Sequence, residues 1–517
     1  MNLFFLCIFF YFVGIIFCKP NVLLIVIDDL RPNLGAYGYK SAVTPNLDSL
    51  ASKSFVFSKT FCQQALCAPS RNSLLTSRRP DTLHLYDFYN YWRESVGNFT
   101  TLPQHFKQNG YYTQSIGKIF HPGISSNFSD DMPYSWSGAP FHPKTQEYMN
   151  SKVCFNNDGT LGKNVLCPVR VMDQPGGTLP DIESLNYALN FLENEKNITG
   201  GLPYFLAVGF HKPHLPLKFP EEYLEQHPIW KVVLPSNRWR SYSLPNVAWN
   251  PWTDIRDRED VMKLNVSFPF GQIPDYFLKK IIQHYDAAVT YIDDLIGRIL
   301  KKIEGTNTII VITSDHGWSA GEHGEFSKYS NFDISTRVPL IIHVPGLSTH
   351  GIVVEQITEL VDLFPTLVDL TNISPPIPIC NRKNTNIGLC TEGRSLVYMM
   401  VKSKQKKMPI RNMPSAFSQY PRPGDYPTKF PNSDKPRMKN IKIMGYSIRT
   451  ERHRYTEWVE FNRTSCKPNW LKKFGTELYD HSIDPGENMN LIDRKELVNV
   501  AKDLRKQLIL GWRYMQN

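Results

Sequence analysis

Asn21-Val22-Leu23-Leu24-Ile25-Val26-Ile27 is a continuous, largely apolar run that closes on Asp28-Asp29. A run of that kind without polar alternation predicts a strand buried on both faces of a parallel sheet. Similar runs recur at Tyr204–Phe210, Thr308–Thr313 and Pro339–Val344. Helical patterns lie between them. The clearest runs from about Tyr276 to Glu304, with Ile281, Ile282, Tyr285, Val289, Ile292, Ile296, Ile299 and Ile303 on one face. Strands alternating with helices predict an α/β fold, a mostly parallel sheet flanked by helices whose ligands gather beyond the carboxyl ends of the strands. A basic, proline-bearing stretch at Val401–Ser415 holds Lys402, Lys404, Lys406, Lys407 and Arg411, and reads as an exposed linker open to proteases. Short β-like runs at Lys442–Thr450 and Arg454–Glu460 and an amphipathic helix near Lys495–Leu510 then predict a smaller α+β subdomain. The expected division is a leader over 1–18, a main domain over 19–408 and a C-terminal subdomain over 409–517.

The composition is that of a globular protein: of 517 residues, 41% are hydrophobic and 21% charged, which excludes collagen-like, coiled-coil and wholly disordered chains. The net charge of +10 suits a polyanionic partner. Met1 to Cys18 is almost wholly apolar and gives way to Lys19-Pro20, which reads as a cleaved secretory signal, with a signal anchor as the alternative. A secretory route removes nucleic acid from the candidate partners, and no later stretch predicts stable membrane insertion. Asn-x-Ser/Thr triplets at Asn98, Asn127, Asn197, Asn265, Asn372 and Asn462 agree with that route. Cys154/Cys167 and Cys380/Cys390 sit at short separations in loop sequence, as disulfides that clip surface loops do. Cys62, Cys67 and Cys466 are left over.

The strand at Thr308–Thr313 leads into Ser314-Asp315-His316-Gly317, so carboxylates stand at the ends of two buried strands. Asp also caps turns and helices. Two strand-end groups at one sheet edge would repel each other, however, and a hard divalent cation relieves that. Cys67-Ala68-Pro69-Ser70-Arg71 places Pro69 in the first turn of a helix, with Cys67 at its N-terminus and Arg71 one turn on.

The pattern Cys67-x-Pro69-x-Arg71 is the sulfatase signature, and the chain resembles that family over nearly all of its length after the leader. The resemblance implies an alkaline-phosphatase-like fold, a mixed, mostly parallel sheet. It also implies that Cys67 is oxidised to formylglycine by the formylglycine-generating enzyme during secretion. A hydrated aldehyde offers one hydroxyl to attack sulfur and a second to expel sulfate afterwards. Asp28, Asp29, Cys67, Asp315 and His316 match the family's Ca²⁺ positions, although His316 stands where many members have Asn. Gly117-Lys118-Ile119-Phe120-His121 resembles the Gly-Lys-x-His block with one extra residue, and His211-Lys212-Pro213-His214 resembles the His-x-Pro block. Lys328 falls where the family places a lysine on the sulfate.

The implied catalytic set is therefore Cys67, Arg71, Lys118, His121, His211 and Lys328. In it Asp315 takes the nucleophile's proton and His121 orients the hydrate. His211 or Lys328 protonates the leaving alcohol, with His211 favoured because it titrates near acidic pH. Asp28-Asp29-Leu30-Arg31-Pro32, Phe120-His121-Pro122-Gly123, Lys328-Tyr329-Ser330-Asn331-Phe332-Asp333 and Ser418-Gln419-Tyr420-Pro421-Arg422-Pro423 are similar to one member acting on heparan sulfate and dermatan sulfate. Those glycans are thus the implied partners and the lysosomal lumen the implied location, with secretion as the alternative. Lys435, Lys442 and Arg449 are candidates for a substrate carboxylate. Another glycan or aryl sulfatase, and a non-catalytic binder of sulfated glycans, remain the competing readings.

Overall fold

The computed structural model describes residues 19–156, 158–380, 387–405 and 414–513. The leader over 1–18, the 408/409 boundary and the basic residues Lys406, Lys407 and Arg411 fall outside these. The strands of the main sheet are β1 Asn21–Ile27, β2 Phe55–Phe61, β3 Tyr112–Gly117, β4 Tyr204–Phe210, β5 Thr308–Ser314, β6 Arg337–His343 and β7 Ile352–Glu359. They form one seven-stranded sheet in the order β7-β2-β6-β5-β1-β4-β3. β1 pairs parallel with β4 and β5, β3 with β4, and β2 with β7. Only β6 reverses, running antiparallel to both β2 and β5.

The apolar run of β1 divides between two cores, as the two-residue period of a strand requires. Leu23, Ile25 and Ile27 join the core under the helices Pro180–Glu193 (α2) and Asp275–Lys302 (α3). Val22, Leu24 and Val26 join the core on the other face, with Leu74 and Leu75 of Cys67–Thr76 (α1) and Phe364 and Leu367 of Leu363–Thr371 (α4). Burying both faces fixes the strand's register, since a one-residue slip would exchange the two sets.

The second sheet is antiparallel and four-stranded: β8 Ala416–Arg422, β9 Ile443–Arg449, β10 His453–Asn462 and β11 Lys467–Asp480, paired in chain order. Helix α5, Val498–Leu510, buries Leu504 and Leu508 against it. The stretch expected as a linker from Val401 begins instead inside a helix, Val397–Lys404, because Met399 and Met400 are drawn into the core. Both expected disulfides are present, Cys154–Cys167 and Cys380–Cys390, and Cys62, Cys67 and Cys466 are free and buried. All six sequon asparagines are exposed. No helix among the described residues is long and apolar enough to cross a membrane.

Candidate active site

The topology delivers the site. β1, β3, β4 and β5 are mutually aligned, so Asp28-Asp29, Lys118, His211 and Asp315-His316 all emerge at one edge of the sheet. β6 runs the other way and starts at that same edge, so the connection from β5 carries Lys328 back across it. Helix α1 begins at Cys67 and is buried along its whole length, which points its N-terminus into the same place. Gly117 and Gly209 let β3 and β4 close up there: a Cβ on Gly209 would lie 2.0 Å from the Lys118 carbonyl oxygen.

Cys67 Sγ lies 3.6 Å from Asp28 Oδ1, 3.4 Å from His316 Nε2 and 3.4 Å from Lys328 Nζ. Lys328 Nζ donates to Asp29 Oδ1 at 2.6 Å, and Lys118 Nζ donates to Asp28 Oδ2. Arg71 donates through Nε to Asp315 Oδ2 at 2.8 Å and pairs through Nη2 with Asp28 Oδ1 at 3.3 Å. Its Nη1 donates to the carbonyls of Lys118 and Ile119, tying α1 to the end of β3. Asp315 Oδ1 accepts from the backbone N–H groups of Asp29 and His316. Three carboxylates thus face three cations and an imidazole in a space with almost no solvent exposure.

These neighbours set the charges. Burial pushes the Asp28 carboxyl up, but Lys118, His214, Arg71 and Lys328 outweigh it and hold Asp28 well below the usual carboxylate range. Asp29 goes the other way, raised chiefly by burial even with Lys328 beside it. Lys118 is raised against burial mainly by Asp28, and Lys328 well raised mainly by Asp29. His316 is carried up to about 9 against burial, chiefly by Asp315, with the Cys67 sulfur adding to it.

Ligand atoms of Asp28, Asp29, Cys67 and His316 all lie within 4.8 Å of one another, and Asp29 Oδ2, buried, has no hydrogen-bond partner. That orphaned oxygen, beside the Asp28 carboxylate and His316 Nε2, fits a divalent cation. Asp315 stands beside this set with its oxygens turned to Arg71 and the backbone. A second grouping, Asp333, His481 and Glu487, is already neutralised by Arg449 and Arg454. Arg449 is accordingly held by Asp333, in a separate cleft of about 870 Å³ that does not include Cys67.

The backbone around Lys328 is held in an unusual shape. Ser327 and Tyr329 both adopt left-handed conformations, φ 67° and 78°, at a cost of roughly 1–3 kcal/mol each. Asp254 Oδ2 offsets this by accepting from Ser327 Oγ at 3.1 Å and Tyr329 Oη at 2.6 Å. Asn250 holds the Phe326 and Lys328 carbonyls, and Arg422 holds that of Tyr329. None of these three supporting roles was foreseen: Asn250 and Asp254 come from a segment with no motif of its own, and Arg422 from a block whose likeness says nothing of this contact.

The histidines separate. His121 is partly buried against Phe88, with ring centroids 4.5 Å apart, and burial with Lys118 and Arg71 nearby pushes it down to about 3. His211 turns to Asp181 of α2, which accepts from its backbone N–H at 2.6 Å and lies 3.3 Å from its Nδ1. His214, three residues on, stands in the field of Lys328, Asp28 and Lys118, and burial leads these in holding it well below the usual histidine range. The histidine of this block that feels the Cys67 cluster is therefore His214, one turn past the one singled out from sequence.

The sulfatase family model matches residues 20–373. The chain is 47% identical to iduronate 2-sulfatase of Mus musculus, over 94% of this chain and 93% of the relative. It is 48% identical to iduronate 2-sulfatase of Homo sapiens, over 91% and 90% of the two chains. Among solved structures, a 2-O GAG sulfatase superposes with a TM-score of 0.65 at 22% identity, covering 96% of this chain and 93% of that one, which speaks for the fold alone. The architecture is the alkaline-phosphatase-like one, mostly parallel with a C-terminal antiparallel sheet. The chain belongs to the sulfatase family and is a sulfuric ester hydrolase.

Proposed function

We infer that the chain hydrolyses the 2-sulfate ester of iduronic acid units in heparan sulfate and dermatan sulfate, in the lysosomal lumen, using Ca²⁺ and a formylglycine made from Cys67 by the formylglycine-generating enzyme. The substrate rests on the likeness to the two iduronate 2-sulfatases. The observation that carries the chemistry is Cys67 Sγ at the start of a buried helix, within 3.6 Å of Asp28, His316 and Lys328 side-chain atoms.

Asp28, Asp29, His316 and the oxidised Cys67 would hold the metal, with Asp315 beside them. Bound there, Ca²⁺ would supply Lewis-acid stabilisation of the sulfate's charge, and the aldehyde hydrate would supply an oxygen nucleophile. Lys118 and Lys328 bind the sulfate oxygens and offset charge that grows in the transition state. Arg71 holds Asp28 and Asp315 in place, and we assign to Asp315 the proton given up by the residue at position 67. His121 lines the sulfate side against Phe88. We assign the proton donated to the leaving oxygen to His214, with His211 buttressed on Asp181 behind it. Burial, with Lys328 beside it, disfavours protonation of His214, and the negative charge of a bound sulfate would favour it. We assign the iduronate carboxylate to Lys435, whose Nζ lies 5.5 Å from the centre of the Tyr329 ring that Lys328 also flanks.

The experiment is a panel of purified substrates: 2-sulfated iduronide, 6-sulfated glucosamine, 4-sulfated galactosamine and an aryl sulfate. The reading predicts sulfate release from the iduronide at a kcat/KM well above the other sugars. Preference for another sugar sulfate would replace it.

A further inference from the structure

Leading away from the catalytic edge is a line of cations. Lys435, Arg437, Lys439 and Lys442 follow one another into β9, and Arg463 and Lys467 flank the turn between β10 and β11. The structure makes them one surface. Arg463 Nη1 donates to the Lys439 carbonyl at 2.6 Å, Phe461 N donates to the Lys442 carbonyl at 2.8 Å, and Asn462 faces Lys467 across the ladder. All but Lys435 are exposed, and none of the six forms an ion pair with a carboxylate among the described residues. Of the nearby acids, Asp87 accepts from the Tyr89 and Met438 N–H groups with Arg437 in its field, and Glu460 is held by Lys472 and Asn469.

The line starts at the site. Arg437 lies over the ring of Tyr89, 4.4 Å from its centroid; Tyr89 adjoins Phe88, and Phe88 packs on His121. Tyr89 itself is 48% exposed, an aromatic face between the catalytic edge and the cations. Unpaired cations held in a row beside an exposed ring suit a chain of sugar rings with acidic groups at intervals, the rings on the aromatic face and the anions on the cations.

We propose that Arg437, Lys439, Arg463 and their neighbours Lys442 and Lys467 form an exosite for the continuing polyanionic glycan chain, beyond the sugar whose ester is cleaved. The inference rests on the sulfated-glycan reading above. It makes a longer chain a better substrate than its terminal unit alone, through binding and not through chemistry.

The test compares a 2-sulfated iduronide monosaccharide with a heparan sulfate hexasaccharide that begins with the same unit, using the full chain and its variant R437Q/K439Q/R463Q. The variant's KM for the hexasaccharide rises about tenfold, the sum of three solvent-screened contacts. Its kcat is unchanged, its monosaccharide kinetics match the wild type, and added salt erases the difference between the two proteins. R437K/R463K keeps the wild-type KM. A triple variant whose hexasaccharide KM stays within about twofold of wild type overturns the exosite and leaves the sulfatase reading intact. If the wild type turns over neither substrate, that reading fails instead. Hexasaccharide binding by fluorescence anisotropy then decides: about tenfold weaker binding by the triple variant supports the exosite, and equal binding overturns it.

Discussion

The Arg71 guanidinium donates through Nε to Asp315 Oδ2 at 2.8 Å, and with its other nitrogens it reaches Asp28 and the carbonyls at the end of β3. One side chain therefore joins the ends of β1, β3 and β5 to helix α1. Arg71→Ala strips buried Asp315 of its guanidinium partner and leaves Asp28 to Lys118, which costs about 3–5 kcal/mol of stability. Arg71→Lys keeps a charge but loses the fork, so it should melt closer to wild type and still lose most activity. Thermal melts with sulfate-release assays check both; full activity in Arg71→Lys would remove the bridging role.

His214 and His211 should separate cleanly by leaving group. General acid catalysis is worth about 10²–10⁴-fold. His214→Gln should lose that much on a sugar sulfate and far less on an aryl sulfate whose phenolate departs unaided. His211→Gln, acting on Asp181 and not on the substrate, should slow both alike. Because burial, with Lys328 beside it, holds His214 well below the ordinary histidine range, kcat/KM on the sugar should fall with rising pH from the acid side of that range. A pH profile unchanged in His214→Gln would contradict the assignment.

Removing divalent metal should matter to stability as well as activity. A cation that binds only the folded state adds about 2.7 kcal/mol at a hundred times its Kd. Chelation should therefore lower Tm and activity together, Ca²⁺ should restore both, and Asp29→Asn should show a smaller Tm response to Ca²⁺. Identical melts with and without chelator would exclude a resident cation on these residues.

Glu325 gives the pH dependence of stability. Burial pushes its carboxyl from 4.5 up to about 8, against the Asn250 N–H donated to it and the nearby Arg422. The folded state then holds a proton the unfolded chain has released, so stability falls as pH rises between about 4.5 and 8. Asp286, raised by burial to about 7, acts in the same direction. Glu325→Gln should melt like wild type near the acid end of that window and above it at the alkaline end. Parallel curves for the two proteins would contradict the buried-acid account.

Much of this site was legible because chemistry sat where apolar runs stop. Val22–Ile27 predicted a doubly buried strand, and Asp28-Asp29 at its end followed from it; the same logic reached Asp315-His316. β2 and β3 were not legible, since Ser58-Lys59 and Thr113-Gln114-Ser115 interrupt their apolar pattern, and only pairing with neighbours makes them strands. β6 reads from sequence like any buried strand, although its reversal is what brings Lys328 to the site. His211 and His214 are equally good in sequence. What distinguishes them is Asp181, thirty residues earlier on α2, which captures the first and leaves the second to the cluster. Asp254, Asn250 and Arg422 support Lys328 only through contacts across long sequence separations, so even the block that holds Arg422 does not announce that role.

The central claim is that Cys67 becomes the nucleophile. Its most direct test is the mass of the peptide spanning Cys67 to Arg71 in a preparation that releases sulfate from 2-sulfated iduronide. The account predicts the lowered mass of the aldehyde in that peptide, with activity tracking its proportion. Sulfate release by protein whose Cys67 remains an intact thiol would contradict it.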